Sequence, residues 1–200
     1  MPCFHDVQIS PVMHDPYVVC PVLENERYRL RLVKMEDAGD LLTVYSDPAV
    51  WPLLNADNCN SDFHFTTIEA MENYIRAWLD EYAKRYYVRF SIVDRTNDMV
   101  IGTIELFRRE AEDFFTDCGL LRLDLHRAYE NVSAITDILQ LLLPHTYSLF
   151  HCHMIATKIP PVAIERKKAV ELLGFTATDE VLIGGHDGKR YGDYFVLFTS

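Results

Sequence analysis

Between Gly119 and His126 the chain sets Leu121, Leu123 and Leu125 at one parity and Arg122, Asp124 and His126 at the other. Period two is the mark of a β-strand, because successive side chains point to opposite faces. Such a strand needs an apolar layer behind one face of its sheet and polar surroundings on the other. Two runs precede it, Tyr87 to Val93 and Met99 to Phe107. The tetrapeptide Arg95-Thr96-Asn97-Asp98 between them suits a hairpin turn, so these two pair antiparallel. Arg27 to Val33 alternates basic and apolar residues and reads as the first core strand.

Helices separate and follow these strands. Glu36 and Asp37 stand where a helix N-terminus favours acids, ahead of Ala38, Leu41, Leu42 and Tyr45, and this helix ends near Asp47-Pro48. Asn55 to Ser61 is a loop. Thr66 or Thr67 caps a long second helix carrying Ile68, Met71, Ile75, Trp78, Leu79 and Tyr82 at helical spacing. Asn131 to Phe150 forms a third, which Pro144 is expected to kink or split. Met154 to Ile159 is a short strand, Val162 to Leu173 a helix stopped by Gly174, and Thr176 to Ile183 and Tyr191 to Phe198 two closing strands around the glycines at 184, 185 and 188. Pro2, Pro11, Pro16 and Pro21 predict an extended arm over residues 1–23, where only Tyr17 to Cys20 could pair, followed by one domain over 24–200.

Two hundred residues, 49% of them hydrophobic, suffice for one core. A net charge of -11 repels phosphate backbones and disfavours nucleic acid as a partner. No apolar run approaches the ~20 residues of a membrane span, and Met1 to Cys20 lacks the pattern of a secretory signal. The five cysteines contain no CxxC pair and suit reduced thiols, so a cytoplasmic setting is expected. His151 and His153 share one side of their segment, but no third ligand stands at a recognisable spacing, so no metal site is expected.

The order β-α-α-β-β-β-α-β-α-β-β, with Asn25 to Arg31, Met35 to Ala38, Ser46 to Trp51, Phe90 to Asp94, Val100 to Ile104 and Glu171 to Phe175, resembles the GNAT N-acetyltransferases, especially the ribosomal-protein alanine acetyltransferases. The resemblance spans roughly 24–198. It implies an α/β (α+β) fold: a mixed, mostly antiparallel sheet of about seven strands, bulged in strand 4 (Gly119 to His126) and splayed between strands 4 and 5 (the latter Met154 to Ile159), with helices on both faces. It also implies acetyl-CoA as co-substrate. The pantetheine arm would lie along Leu123, Asp124 and Leu125, and the pyrophosphate on the helix N-terminus at Asn131, Val132, Ser133, Ala134 and Ile135, with Ala163 and Arg166 at further cofactor positions.

The chain departs from the family pattern in that loop. Glu130, Ser133 and Ile135 replace a Gln or Arg and two small residues, while Ala163, Arg166 and Val170 replace an Asn, a Ser and a Tyr. Arg127, Arg166, Lys167 and Lys168 could restore positive charge, although a solvated basic face explains the last three equally well.

Acetyl transfer to an amine needs a proton acceptor. Glu105 and Asp124, inside strands flanking the expected cleft, are the candidates; the structural alternative is that either pairs with Arg122 across the sheet. Trp51, Tyr74 and Trp78 either line an acceptor site or fill the core. The activity expected is acetyl transfer from acetyl-CoA to a small-molecule or peptide amine, with a homodimer possible through the closing strands. The alternative is a GNAT-fold binding protein that has lost its pyrophosphate grip.

Overall fold

The computed structural model describes residues 15–199. Its main sheet has eight strands, β1 (Leu23–Glu24), β2 (Tyr28–Leu32), β3 (Val88–Asp94), β4 (Met99–Arg109), β5 (Cys118–Leu125), β6 (Met154–Lys158), β7 (Thr176–Ala177) and β10 (Tyr194–Phe198). They lie in the order β1-β2-β3-β4-β5-β6-β10-β7, and a separate hairpin joins β8 (Leu182–Ile183) to β9 (Arg190–Tyr191). Every neighbouring pair is antiparallel except β5 and β6. Among the described residues, four α-helices complete the fold: α1 (Ala38–Tyr45), α2 (Ile68–Ala83), α3 (Val132–Phe150) and α4 (Ile164–Leu172).

Alternation explains the layering. Leu30, Phe90, Ile92, Ile104, Leu106, Leu121, Leu123 and Leu125 share one core with Ile135, Ile138, Leu142 and Val170 of α3 and α4. The opposite face of β3, β4 and β5 carries Arg89, Ser91, Thr103, Glu105, Arg122 and Asp124, all buried. Beyond it lies a second apolar cluster in which α1 and α2 place Leu41, Tyr45, Met71, Ile75 and Trp78. Thr67 caps α2, its Oγ1 accepting from the Ala70 amide at 3.2 Å.

Several expectations are corrected. The closing strands are each interrupted: Thr178 turns the chain by accepting the Glu180 amide, and Asp193 adopts φ 66 beside Gly192. Tyr17 to Cys20 do not pair as a strand; the amides of Val18 and Val19 bond to the Asp15 carbonyl in a turn. Nor is this part of the arm merely extended, since the Tyr17 ring lies 6.1 Å from Tyr82 and 6.2 Å from Phe150. The rest of the arm, residues 1–14, lies outside the described residues. Pro144 does not split α3, which continues to Phe150 with Leu142, Leu143, Thr146 and Leu149 buried on both sides of it.

Gly102 is fixed by close approach. A Cβ there would lie 3.0 Å from the Leu125 Cα and closer still to the Asp124 carbonyl oxygen. Gly102→Ala is expected to destabilise by about 1–3 kcal/mol, the usual cost of overpacking. Urea unfolding measures it, and an unchanged midpoint would show that β4 and β5 separate freely.

Candidate active site

β5 and β6 pair from Cys118↔Met154 to Leu121↔Thr157 and then part, leaving Arg122 to Leu125 bonded to β4 on one side only. The splay is therefore where it was expected. Its cause is not a bulge in this strand, because β4 and β5 keep one register from Gly102↔Leu125 to Arg109↔Cys118; the register shift lies between Ile92 and Val93 of β3.

A side chain bridges the opening. Arg166 projects from the first turn of α4 and is 2% exposed. Its Nη1 donates to the Leu123 carbonyl at 2.7 Å and to the Leu53 carbonyl at 2.8 Å. Its Nε donates to Glu130 Oε2 at 3.0 Å, and Nη2 bonds Glu130 Oε1. Arg166 is thus not part of a solvated basic face, and its charge is taken up by Glu130. Lys167 and Lys168 are exposed and face Glu171 and Glu165, while Arg127 is exposed.

Asn131 caps α3, its Oδ1 accepting from the Ala134 amide at 3.0 Å. Val132 and Ser133 follow in the first turn with Ser133 exposed, and Ala134 and Ile135 are buried in the core. Ala163 starts α4 without a side-chain cap, and Val170 is buried.

On the polar face of the sheet the two candidate carboxylates have different surroundings. Glu105, 2% exposed, is held by Arg122 Nη1 at 2.8 Å on one oxygen and by Arg89 on the other. Burial opposes its charge, but Arg122 and Arg89 outweigh burial and hold its pKa below the ordinary carboxylate value. Asp124 accepts the Tyr45 hydroxyl at 2.8 Å and has only a distant contact with Arg89, at 3.5 Å; burial dominates and pushes its pKa up. Thr103 Oγ1 lies 2.8 Å from Tyr45 Oη and accepts from Arg89 at 3.1 Å. Arg89 also stacks on Trp78, 4.1 Å from the ring centroid. The structural alternative for Glu105 is therefore realised, although its partners are two arginines, whereas Asp124 pairs with Tyr45 and not with Arg122.

Arg89, Tyr45 and Asp57 were not singled out in the sequence. A signal for Arg89 existed: it stands at polar parity in β3, opposite Glu105, which is itself opposite Arg122. Asp57 accepts Lys158 Nζ at 2.7 Å and Tyr194 Oη at 3.2 Å, and its carbonyl takes Arg122 Nη2 at 2.8 Å, contacts that no local pattern announces.

This face opens into a cavity of about 970 Å³. Arg89, Glu105, Phe107 and Arg122 form its floor, Tyr74, Ala77, Trp78 and Glu81 one wall, Cys59 and Phe63 another, and Gly184 to His186 part of its rim. Tyr74 and Trp78 line this cavity while packing with the second apolar cluster, whereas Trp51 stacks on His64 and donates to the Tyr45 carbonyl at 2.8 Å. Of the splayed stretch only Arg122 reaches this cavity; Leu123, Asp124 and Leu125 do not line it.

The acetyltransferase (GNAT) domain family matches residues 27–176. The chain belongs to this family. It is 26% identical over 153 residues to an uncharacterized N-acetyltransferase p20 of Bacillus licheniformis, covering 76% of this chain and 81% of that one. The ribosomal-protein-S5-alanine acetyltransferase of Vibrio fischeri superposes with a TM-score of 0.65 at 17% identity, over 88% of this chain and 94% of its own. RimJ of Mycobacterium smegmatis, solved with a CoA disulfide, gives 0.66 at 13% identity, over 89% and 86%. The fold is that of these enzymes, and the family is one of acetyltransferases.

The GNAT family uses acetyl-CoA, and the residues present can be tested against it. The open edge of β5 suits a pantetheine arm in its backbone. The side chains do not fit: Arg166 occupies the Leu123 carbonyl, Glu130 sets a carboxylate beside the α3 N-terminus, and Asn131 takes up the Ala134 amide. In this arrangement the donor groove is closed.

Proposed function

We propose that the protein is a cytoplasmic N-acetyltransferase moving an acetyl group from acetyl-CoA to a primary amine of a small molecule or peptide, without a covalent enzyme intermediate. The observation that carries this reading is the cavity of mixed charge and aromatic walls against the polar face of β3, β4 and β5. Beside the arginines of its floor and rim, Glu81 and Glu112 offer carboxylates to an ammonium group, and Tyr74 and Trp78 offer π-faces to it. The named ribosomal-protein acetyltransferases among the structural neighbours make a peptide N-terminus one acceptor to try, and the exposed β7 edge leaves a homodimer open.

Of the two carboxylates, Asp124 is the proton acceptor in this proposal. Two acids whose surroundings push their pKa values apart divide the labour, and the one pushed up is suited to take a proton. Neither Asp124 nor Tyr45 lines the cavity, so this role requires the amine to reach the Tyr45 hydroxyl, which donates to Asp124 at 2.8 Å. Glu105 fixes Arg89 and Arg122 in the floor. The donor is assigned to the backbone of Leu123, Asp124 and Leu125 and to Asn131 through Ile135, once Arg166 has left the groove.

Purified protein incubated with acetyl-CoA and a panel of N-terminal peptides, polyamines and amino acids tests the reading by mass spectrometry, which would detect one added acetyl group. Ala77, exposed on α2 and lining the cavity, gives a check on the acceptor site. Ala77→Phe is expected to raise the acceptor KM at least tenfold, a loss of about 1.4 kcal/mol of binding, with kcat little changed. An unchanged KM would place the acceptor elsewhere. The closed groove favours a second reading, a GNAT-fold binding protein; no transfer to any amine, together with a cavity ligand that raises Tm, would establish it.

A further inference from the structure

Four elements meet at one guanidinium: α4, which supplies Arg166, the segment before α3, which supplies Glu130, the turn at Leu53, and the open edge of β5 at Leu123. The buried Arg166 side chain makes four donor contacts, two to the Glu130 carboxylate and two to the backbone carbonyls of Leu53 and Leu123. A basic residue turned outward for phosphates would stand in water. This one points into the sheet, onto a backbone acceptor that a strand-like ligand along β5 would need.

We propose that Arg166, held by Glu130, is a gate on the donor groove: the pair competes with coenzyme A for the open edge of β5, and binding requires the guanidinium to leave Leu123. The inference rests on the proposed use of acetyl-CoA and adds that Arg166 opposes its entry. Glu130 is the second half of the gate, because it fixes two of the guanidinium nitrogens and so directs the third to Leu123 and Leu53. A bidentate pair of this kind has a narrow geometry, so neutralising the carboxylate loosens the arginine without deleting it.

The test is titration of free coenzyme A into the full chain by isothermal calorimetry, for the wild type, Glu130→Gln and the double variant Glu130→Gln/Arg166→Gln. Removing Arg166 alone would strand a largely buried carboxylate, and the double change avoids this by neutralising both partners. Circular dichroism establishes that each protein is folded. The gate predicts at least tenfold tighter binding by the double variant than by the wild type, with Glu130→Gln between them. Equal affinity in all three would overturn the gate and leave the cofactor reading intact. Weaker binding by the double variant would overturn it too, by making Arg166 a ligand of the cofactor. If none of three folded proteins bound coenzyme A, the donor reading would fail and the gate with it.

Discussion

Arg89→Met is expected to destabilise the fold by about 3–5 kcal/mol, the range seen when one partner of a buried ion pair is removed. Arg89 is 2% exposed and serves Glu105, Thr103 and Asp124 at once while stacking on Trp78. Methionine restores much of the volume but none of the charge, so two carboxylates remain in the interior with Arg122 as the nearest cation to Glu105. Urea unfolding of wild type, Arg89→Met, Glu105→Gln and the double variant forms a cycle. The double variant should lose less than the sum of the singles, with a coupling of at least about 1 kcal/mol. Strict additivity would show that the network is not shared.

The pH dependence has a definite sign. The folded pKa of Glu105 is held below its ordinary 4.5, so its contribution is complete above that value and disappears as pH falls through the folded pKa. Asp124 acts oppositely: its folded pKa is raised above 3.8, so its contribution is complete below that value and is lost as pH rises through the folded one. Arg89→Met weakens the first effect and strengthens the second, since Arg89 lowers both pKa values. As pH falls below about 4.5 the variant should therefore lose less stability than wild type, as measured by urea unfolding. An equal loss would place the acid sensitivity outside this network.

The sequence made the layers legible because alternation is local. Leu121, Leu123 and Leu125 against Arg122, Asp124 and His126 fixed which face of β5 meets α3, and the splay beyond Leu121 followed from the family resemblance. What was not legible depends on contacts between distant segments. Arg166 looked like one of three basic residues on a helix surface, and only the fold brings it to Glu130, 36 positions away, and to Leu123. The break at Gly192-Asp193 needed a left-handed residue that a strand propensity does not reveal. Asp57 read as loop composition, yet it ties Lys158 of β6 and Tyr194 of β10 to the cavity wall.

The largest kinetic effect should come from Asp124. If it takes the amine proton, Asp124→Asn should lower kcat by about 100-fold or more, the usual lower bound for a positioned general base. Asparagine keeps the shape and can still accept the Tyr45 hydroxyl, so KM for the acceptor should hardly change and stability should fall less than in Arg89→Met. Tyr45→Phe should lower kcat as well, because it removes the hydroxyl that donates to Asp124; Tyr45 is fully buried, and burial, then the neighbouring Asp124, push its own pKa far up. The two changes together should cost no more than the larger alone, since both interrupt one path. Glu105→Gln separates this reading from a general loss of order in the floor. It should reduce stability through Arg89 and Arg122, while the acid limb of the kcat profile, set by Asp124, stays within the range its remaining neighbours allow. A profile whose acid limb vanishes in Glu105→Gln but persists in Asp124→Asn would transfer the role to Glu105, against the two guanidinium groups that now hold its proton affinity down.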